Sequence, residues 1–175
     1  MRWIRLLTAI ISARFRSSID VKATSKIKFY VWFTDIDISM MNHAAILTVM
    51  EMGRLDFMVR TGIFKLVNRK KWAIPGRALS VQFYRPLKMF QKAELYSKIA
   101  YVDEKWVYME QEIMRKGKLV AFCLIKATIK KDRKTVSTSD FNKELGIDFI
   151  DFQKTDLVEL QEKLNTEMNA YTIND

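Results

Sequence analysis

The sequence predicts an α+β fold in which an antiparallel sheet of about five strands wraps around one long helix. The first observation is an alternating stretch at 26–34, rich in β-branched and aromatic residues, which is typical of a strand. The second is an unbroken apolar pattern from Ala44 to about Arg60, which fits a helix. The third is a series of four further strand-like stretches with short connections, which favours antiparallel pairing.

The long helix is predicted to begin near Asn42 and to end at Thr61 and Gly62. An apolar stripe recurs along it at three- and four-residue steps: Ile46, Met50, Gly53 and Phe57. A glycine inside a helix costs roughly 1 kcal/mol relative to alanine. We therefore expect Gly53 to permit close packing of this helix against the sheet.

The four later strands are predicted at 78–85, 93–102, 105–115 and 118–131. The last two form a hairpin across Lys116 and Gly117. A basic loop is expected between the long helix and the first of these strands. The order of one strand, one helix and four strands predicts that the helix lies on the sheet face.

Two helices are predicted after the last strand. Capping residues at 137–140 favour a short helix that ends near Gly146. A second helix at 156–170 has one apolar stripe: Leu157, Leu160, Leu164 and Met168. We expect this stripe to pack on the domain or on a second subunit.

The chain divides into a basic amphipathic segment at 1–25, the α+β domain at 26–136 and a helical extension at 137–175. The uncharged stretch from Leu6 to Ala13 is too short to span a bilayer. Residues 1–16 are therefore predicted to form an amphipathic helix. It either packs on its own domain or a partner subunit, or rests on an anionic membrane surface.

The formal net charge of +10 calls for an anionic partner, which nucleic acid, a membrane surface or a phosphorylated ligand such as coenzyme A would supply. The basic residues are dispersed, with clusters only at 68–71 and 130–134, so a nucleic-acid partner is not expected. The single cysteine, Cys123, suits the reducing cytoplasm and is expected to be a buried strand residue. With one histidine and one cysteine, no metal site is expected.

An ordered set of short motifs spans most of residues 26–130. They are Asp35-x-Asp37, Met41-Asn42, Ala44 to Arg54, Gly53 to Asp56, Trp72, Arg85 to Leu87, Phe90-Gln91, Asp103 to Trp106 and Ala121 to Lys126. Their co-linear order resembles hotdog-fold acyl-CoA thioesterases of the 4-hydroxybenzoyl-CoA thioesterase-like group. The stretch between Asp37 and Asn42 is one residue shorter than the usual pattern, and Met40 and His43 stand where that group often has His and Asn.

The resemblance implies a hotdog domain that hydrolyses an acyl-CoA thioester to free acid and coenzyme A. It also implies a homodimer or tetramer with a pocket shared between subunits, and no cofactor apart from the coenzyme A of the substrate. An acyl carrier protein substrate stays open, as does a hotdog protein that binds an acyl thioester with weak or no turnover. Basic residues near strand ends are candidates for binding the coenzyme A phosphates: Arg69, Lys70, Lys71 and Arg85.

Five residues are candidates for the chemistry. The resemblance points to Asp37 as base or nucleophile on the thioester carbonyl, although an acid there also suits a turn or a helix cap. Asp35 lies one alternation away and would replace Asp37 if the deletion shifts the register. Asn42 and His43 would either hold the carbonyl together with helix amides or serve the helix start. Glu51 is a second candidate base, or an ion-pair partner of Arg54.

Overall fold

The protein is described from a computed structural model that covers residues 2–146 and 152–173. Parts of the predicted N-terminal segment and helical extension, at 1, 147–151 and 174–175, lie outside the described residues. The helices are α1 (Arg2–Arg14), α2 (His43–Arg60), α3 (Ile63–Lys70), α4 (Thr138–Leu145) and α5 (Asp156–Ile173). The strands are β1 (Ser25–Tyr30), β2 (Ile36–Asp37), β3 (Met40–Met41), β4 (Gly76–Phe83), β5 (Lys92–Val102), β6 (Trp106–Arg115), β7 (Lys118–Lys131) and β8 (Lys134–Val136).

The main sheet is antiparallel and has the order β1-β5-β6-β7-β4, with β8 added beside the end of β7. The predicted architecture of an antiparallel sheet around one long helix is confirmed. Each predicted strand is present, with ends that differ by a few residues. The first strand stops at Tyr30 rather than 34, because the chain enters a 3-10 turn at Phe33–Asp35. In the part of the chain that the structure describes, no strand pairs with the outer edge of β4.

Helix α2 lies on the concave face of this sheet and forms the core. Val49, Met50 and Phe57 are completely buried along it. A Cβ atom at Gly53 would overlap the side chain of Leu95 and come within 2.8 Å of Ser97 Oγ. The predicted close approach of helix and sheet at Gly53 is therefore confirmed.

A buried glutamine fixes α2 on the sheet. Gln111 is fully buried on β6, and its Nε2 donates to Ser97 Oγ at 2.9 Å and to the Met50 carbonyl oxygen at 2.8 Å. Its Oε1 accepts a hydrogen bond from Arg54 Nη1 at 2.7 Å. Because unpaired buried polar groups are costly, this satisfied network favours one position of the helix.

Helix α1 packs against α2, and its buried face consists of Leu6, Ala9 and Ala13. The predicted amphipathic helix is therefore confirmed, with one face on its own domain. Its opposite side leaves Leu7 and Ile11 exposed, and Phe15, directly after the helix, is exposed too. None of the helices in the described ranges is both long enough and apolar enough to cross a membrane.

A cluster around Asp56 ties the N-terminal region to α2. The carboxylate is 3% exposed and pairs with Arg16 Nη1 at 2.7 Å and Arg60 Nη1 at 3.4 Å. Ser25 Oγ donates to its Oδ2 at 2.5 Å. This cluster was not predicted from the sequence, although an acid within a mainly apolar helix pattern was a signal for it.

The expected basic loop after α2 is wrong, because helix α3 forms there. Its apolar residues Ile63, Leu66 and Val67 recur at helical spacing and are buried against the core. Gly62, at φ 80°, allows the sharp turn from α2 into α3. The basic residues at 69–71 thus follow a packed apolar face and do not belong to an open loop.

Helix α5 lies across the outer face of the sheet, but its predicted packing stripe faces solvent. Val158 is buried against Tyr108 and Leu124, and Gln161 Nε2 donates to the Leu124 carbonyl oxygen at 3.1 Å. The apolar stripe that the sequence indicated is 48–59% exposed: Leu157, Leu160, Leu164 and Met168. These four side chains stay about half exposed in the protomer, whereas Val158 and Gln161 make the buried contacts of α5.

Candidate functional site

Asp35 lies inside the 3-10 turn that precedes α2. Its side chain is 3% exposed and pairs with the guanidinium of Arg5 from α1. Its Oδ2 accepts the Trp32 N–H at 3.0 Å, and its carbonyl oxygen accepts the Asn42 N–H at 2.9 Å. These contacts close the turn and place the start of α2, so the geometry gives Asp35 a positioning role.

Asp37 points away from that buried acid. It lies on β2, pairs across the hairpin with Met40, and is exposed. The tip of the hairpin contains Ile38 at φ 23°, a backbone conformation that a β-branched residue rarely adopts. The short turn thus presents the Asp37 carboxylate to solvent a few residues before α2, and the two acids do not share a strand face.

Asn42 caps α2, since its Oδ1 accepts the Ala45 N–H at 2.7 Å. The Ile46 N–H donates to the Asn42 carbonyl oxygen at 3.1 Å and begins the helical ladder. By helix geometry, the amides of His43 and Ala44 have no acceptor within the helix. The N-terminus therefore offers two N–H donors and the positive end of the helix dipole to an oxyanion.

The imidazole of His43 stacks on Phe83, the last residue of β4, with ring centroids 4.1 Å apart and an angle of 20° between the planes. His43 is otherwise exposed. The contact places the start of α2 beside one end of the open edge strand. Phe83 was not among the sequence candidates, and no local motif marks it.

A groove of about 320 Å³ lies between α2 and the sheet. Its walls are mainly apolar and include Met58, Val107 and Ile125. Its charged lining residues are Glu51 and Arg54. A cavity of this size and composition fits a small acyl group.

Arg54 provides a fixed cation in this groove. Burial lowers the pKa of its guanidinium below its ordinary value, and the nearby Cys123 and Glu51 oppose the shift. Because arginine stays protonated even so, its charge remains, held by Gln111. Burial also raises the pKa of the Cys123 thiol to about 11, and Cys123 is fully buried as predicted.

Within one protomer the groove and the start of α2 are separate places. Gly76 at the start of β4 lines the groove, and Phe83 at its end contacts His43. An eight-residue strand places its ends roughly 23 Å apart at about 3.3 Å per residue. The structure thus brings Asn42 and His43 together near the hairpin that holds Asp37, and it places Glu51 elsewhere.

The basic candidates also fall into two groups. Lys70 Nζ lies 2.6 Å from Glu144 Oε1 and Arg69 Nη2 lies 3.7 Å from Glu144 Oε2, while Lys71 is exposed after α3. Arg85 lies beyond the other end of β4 and donates from Nη1 to the Leu119 carbonyl oxygen at 2.5 Å. No single anion could contact both groups on one protomer.

The family model of the Thioesterase-like superfamily matches residues 31–163 of this chain. Protein THEM6 of Drosophila melanogaster is 28% identical over 80 residues, which is 46% of this chain and 42% of that relative's length. The match therefore spans less than half of either protein.

Solved structures share the fold. YbaW, a probable thioesterase from Escherichia coli, matches 69% of this chain and 95% of its own, with a TM-score of 0.65 and 18% identity. A Staphylococcus aureus protein solved in complex with CoA matches 79% of this chain and 91% of its own, with a TM-score of 0.65 and 14% identity. A 1,4-dihydroxy-2-naphthoyl-CoA thioesterase from Synechocystis matches 71% of this chain and 96% of its own, with a TM-score of 0.61 and 13% identity.

These likenesses confirm the hotdog fold that the ordered motifs indicated. The family match begins at the end of β1 and includes the acid hairpin, α2 and all the strands of the sheet that follow them. The chain belongs to the thioesterase-like superfamily.

Proposed function

We propose that this protein hydrolyses acyl-CoA thioesters at a site that two protomers build together. The observation that carries the proposal is the position of β4. One end of this open edge strand contacts the α2 start, and the other end lines the apolar groove. Membership of the thioesterase-like superfamily supports the reaction class.

The edge of β4 is suited to pair with a second copy of itself. Its eight residues include one charged side chain, Arg77, and no proline. Its register with β7 shifts once, between Gly76 and Ala78, and is regular from Ala78 to Phe83. Leu79 and Phe83 are 43% and 36% exposed. Edge strands that remain unpaired usually carry charges, prolines or bulges that prevent such pairing. A twofold axis at this edge would extend the sheet from one protomer into the next.

Antiparallel pairing of two β4 strands would reunite the separated parts of the site. In one protomer, His43 contacts the end of β4 at Phe83. That end would lie beside the start of β4 in the partner, and therefore beside the partner's groove. Each dimer would then hold two equivalent sites. The same pairing would bring Arg85 of one protomer towards Lys71 of the other, where both could contact coenzyme A phosphates.

The proposed chemistry uses groups at the start of α2. The acyl chain occupies the groove, and the thioester carbonyl oxygen receives hydrogen bonds from the amides of His43 and Ala44. In one route Asp37 takes a proton from the water that attacks the carbonyl carbon, and this proton passes to the sulfur as the carbon–sulfur bond breaks, which releases the free acid and the coenzyme A thiol. In the other route the Asp37 carboxylate attacks the carbonyl carbon, and the carbon–sulfur bond breaks to release coenzyme A, whose thiolate takes a proton from solvent. Water then hydrolyses the mixed anhydride on Asp37, which releases the free acid and restores the carboxylate. Glu51 is the second candidate for the base, since it lines the groove itself.

The decisive test of the reaction is Asp37→Asn, measured as release of free thiol from a panel of acyl-CoAs. Asparagine keeps the size of the side chain but can neither attack nor accept a proton. We expect a loss of about a hundredfold or more in kcat, with little change in substrate binding. Asp35→Asn tests the register, and it should lower thermal stability more than turnover because Asp35 is buried and ion-paired.

Other results would redirect the assignment. Loss of turnover in Asp35→Asn but not in Asp37→Asn would transfer the role to Asp35. Full activity of both variants would leave Glu51→Gln as the next change to measure. Binding of acyl-CoA by the parent without thiol release would establish the alternative of a binding protein, which the outward Asp37 on its shortened turn favours.

A complementation experiment tests the shared site. Asp37→Asn removes the acid, and Ala127→Phe fills the groove, because Ala127 lines it. Each variant alone should be inactive. A mixture of the two, unfolded and refolded together, should regain about a quarter of parent activity, since half of the dimers are mixed and hold one intact site of two. A mixture as inactive as its components would place the whole site within one protomer.

The exposed apolar face of α1 supports the proposed contact with a membrane surface. Leu7 and Ile11 of α1 and Phe15, the residue after its end, recur at four-residue steps and are 58%, 55% and 88% exposed. Arg14 is exposed next to Phe15 and would meet anionic headgroups. Sedimentation with anionic vesicles should fall in the Ile11→Ser, Phe15→Ser variant. It should persist in the control variant Leu160→Ser, which removes a similarly exposed apolar side chain from α5. Equal binding by both variants would refute the contact.

A further inference from the structure

A second cavity lies on the opposite face of the sheet from the acyl groove. It has a volume of about 760 Å³ and lies between the C-terminal half of α5 and the outer surface of β4, β6 and β7. None of the candidate catalytic residues lines it. A cavity of this size can enclose a ligand much larger than a single ion.

The charge of this outer cavity is uniformly positive. The side chains that carry it come from two strands, β4 and β7, and one turn: Arg77, Lys105, Lys126 and Lys130. Among the described residues that line the cavity, none is an aspartate or a glutamate. Glu162, the α5 acid that attracts Lys126, already binds Lys154 at 2.6 Å and the Tyr108 hydroxyl at 2.9 Å. Four cations without a lining carboxylate indicate a site for a multiply charged anion.

Lys126 is the central cation of the set. Its residue is only 9% exposed, and its Nζ lies 4.5 Å from the ring centroid of Trp106 and 5.4 Å from that of Tyr108. Burial lowers the pKa of its ammonium group, and the attraction of Glu162 and Asp103 opposes this without cancelling it. A buried ammonium group loses favourable contact with water, and binding of an anion would compensate for that loss, so Lys126 is a candidate for anion binding.

An unsatisfied donor points to the same cavity. The side-chain nitrogen of Asn165, which lines the cavity from α5, is buried and has no hydrogen-bond partner. Such groups are rare in folded proteins and require an explanation. A ligand oxygen in the cavity would satisfy it, whereas an apolar occupant would leave it unpaired.

The remaining lining residues define the rest of the ligand. Leu164 and Met168 are 52% and 59% exposed and form an apolar wall on the α5 side. The Trp106 ring already has the Nζ atoms of Lys105 and Lys126 at 4.9 and 4.5 Å from its centroid. Because these cations occupy the aromatic surface, an alkyl group against α5 fits the cavity better than a stacked base.

We infer that this outer cavity binds an organic phosphate monoester that carries an apolar group. A phosphate monoester provides up to two negative charges and three acceptor oxygens for the four cations and the Asn165 amide. A single carboxylate would leave most of the positive charge uncompensated. The same phosphate chemistry could come from a lipid headgroup or from a free nucleotide, and the choice of probes separates these sources.

The test is isothermal titration of the full chain at low salt with three probes. They are dihexanoyl phosphatidic acid, adenosine 3′,5′-bisphosphate and the uncharged dihexanoyl glycerol. We expect the phosphatidic acid to bind, the glycerol not to bind, and affinity to fall as salt rises. Preferential binding of the bisphosphate, with the same dependence on Lys126, would keep the phosphate site but assign it to a nucleotide.

Variants show whether binding occurs in this cavity. Lys126→Met should weaken binding by about 10- to 100-fold through loss of a charged contact, and Asn165→Leu by about 2- to 10-fold. Lys98→Met is the matched control, because Lys98 lies outside the cavity and pairs with Glu110 at 2.8 Å. The Lys126→Met protein should melt no lower than the parent, since a buried charge is removed, so its loss of binding would not reflect unfolding.

The inference is overturned if neither phosphate binds the parent, or if Lys126→Met binds as well as Lys98→Met does. Retained binding in Lys126→Met would place any phosphate on other basic residues, such as those proposed for coenzyme A. Thioester hydrolysis by Lys126→Met should equal that of the parent. The outcome is therefore distinct from success or failure of the proposed reaction.

Discussion

Replacing Asp56 with asparagine removes a carboxylate that two arginines and a serine share. The side chain of Arg60 is 8% exposed and that of Arg16 is 37% exposed, so the first arginine depends far more on this partner than the second does. Removing one member of a buried ion pair costs about 3–5 kcal/mol, because the remaining charge is left in a poor environment. The half-exposed Arg16 contributes less than about 1 kcal/mol, since water screens it.

Asparagine keeps one oxygen that accepts a hydrogen bond from the Ser25 hydroxyl, so the expected loss of stability lies at the lower end of the about 3–5 kcal/mol range. We expect Asp56→Asn to lower the free energy of unfolding by about 3 kcal/mol. For a chain of this size the loss corresponds to a fall in melting temperature of roughly 6–12 °C. Urea denaturation followed by tryptophan fluorescence measures the free energy, and calorimetry measures the temperature. Amides of α1 should also exchange faster, because Arg16 no longer anchors the end of that helix.

The surface pair between Lys26 Nζ and Glu94 Oε1, at 2.9 Å, provides a matched control. The two side chains are 41% and 33% exposed, far more than Asp56 and Arg60, so Glu94→Gln should change the denaturation midpoint much less than Asp56→Asn does. An Asp56→Asn protein as stable as Glu94→Gln would refute the argument from burial. Arg60→Gln combined with Asp56→Asn should cost much less than the sum of the single changes, since each removes the same interaction.

Three further outcomes follow from the geometry. Gly53→Ala should destabilise the protein by about 1–2 kcal/mol in urea titrations, because overlap with Leu95 outweighs the gain in helix propensity; an unchanged or higher midpoint would mean that the sheet yields at no cost. Arg5→Gln should lower both the thioesterase activity and the melting temperature, because it removes the ion-pair partner of buried Asp35. If neither the activity nor the melting temperature falls, the 3-10 turn does not depend on α1. Cys123 should resist maleimide at pH 8 in the native protein and react after denaturation. Burial raises the pKa of its thiol to about 11, which leaves roughly one thiol in a thousand ionised at that pH. Rapid labelling of the native protein would contradict a buried thiol.

Periodicity predicted the sheet and α2 because these elements carry long and unambiguous patterns. The capping role of Asn42 and the closeness of Gly53 to the sheet also followed from residue type and position. Helix α3 was missed because its eight residues provide only one apolar turn among basic neighbours. The local sequence could not show that Asp35 turns inwards, since its partner Arg5 lies thirty residues away.

The sequence motif predicted which residues belong to the candidate site, but it did not predict how far apart those residues lie in the structure. The spacing from Asp37 to His43 indicated chemistry at the start of α2, and the structure puts Asn42 and His43 there. The separation of Arg85 from Lys71 depends on the length and direction of β4, whereas Glu51 lies about 12 Å along α2 from His43 because eight residues at about 1.5 Å each separate them. A polar residue among the apolar positions of β6 was the available signal for Gln111, and no comparable signal marked Phe83.

The position of α2 on the sheet has a consequence for substrate range. At Gly53 the helix comes close to side chains of β5 and β6, and the groove proposed for the acyl group lies farther along α2, between this helix and strands β4 to β7. Gly53 does not line that groove, but it lies on the helix that forms one of the groove walls. A larger residue there would pivot the helix towards β4 and shorten the acyl chain that fits. Chain-length preference in such a fold can therefore change through a residue that never touches the substrate.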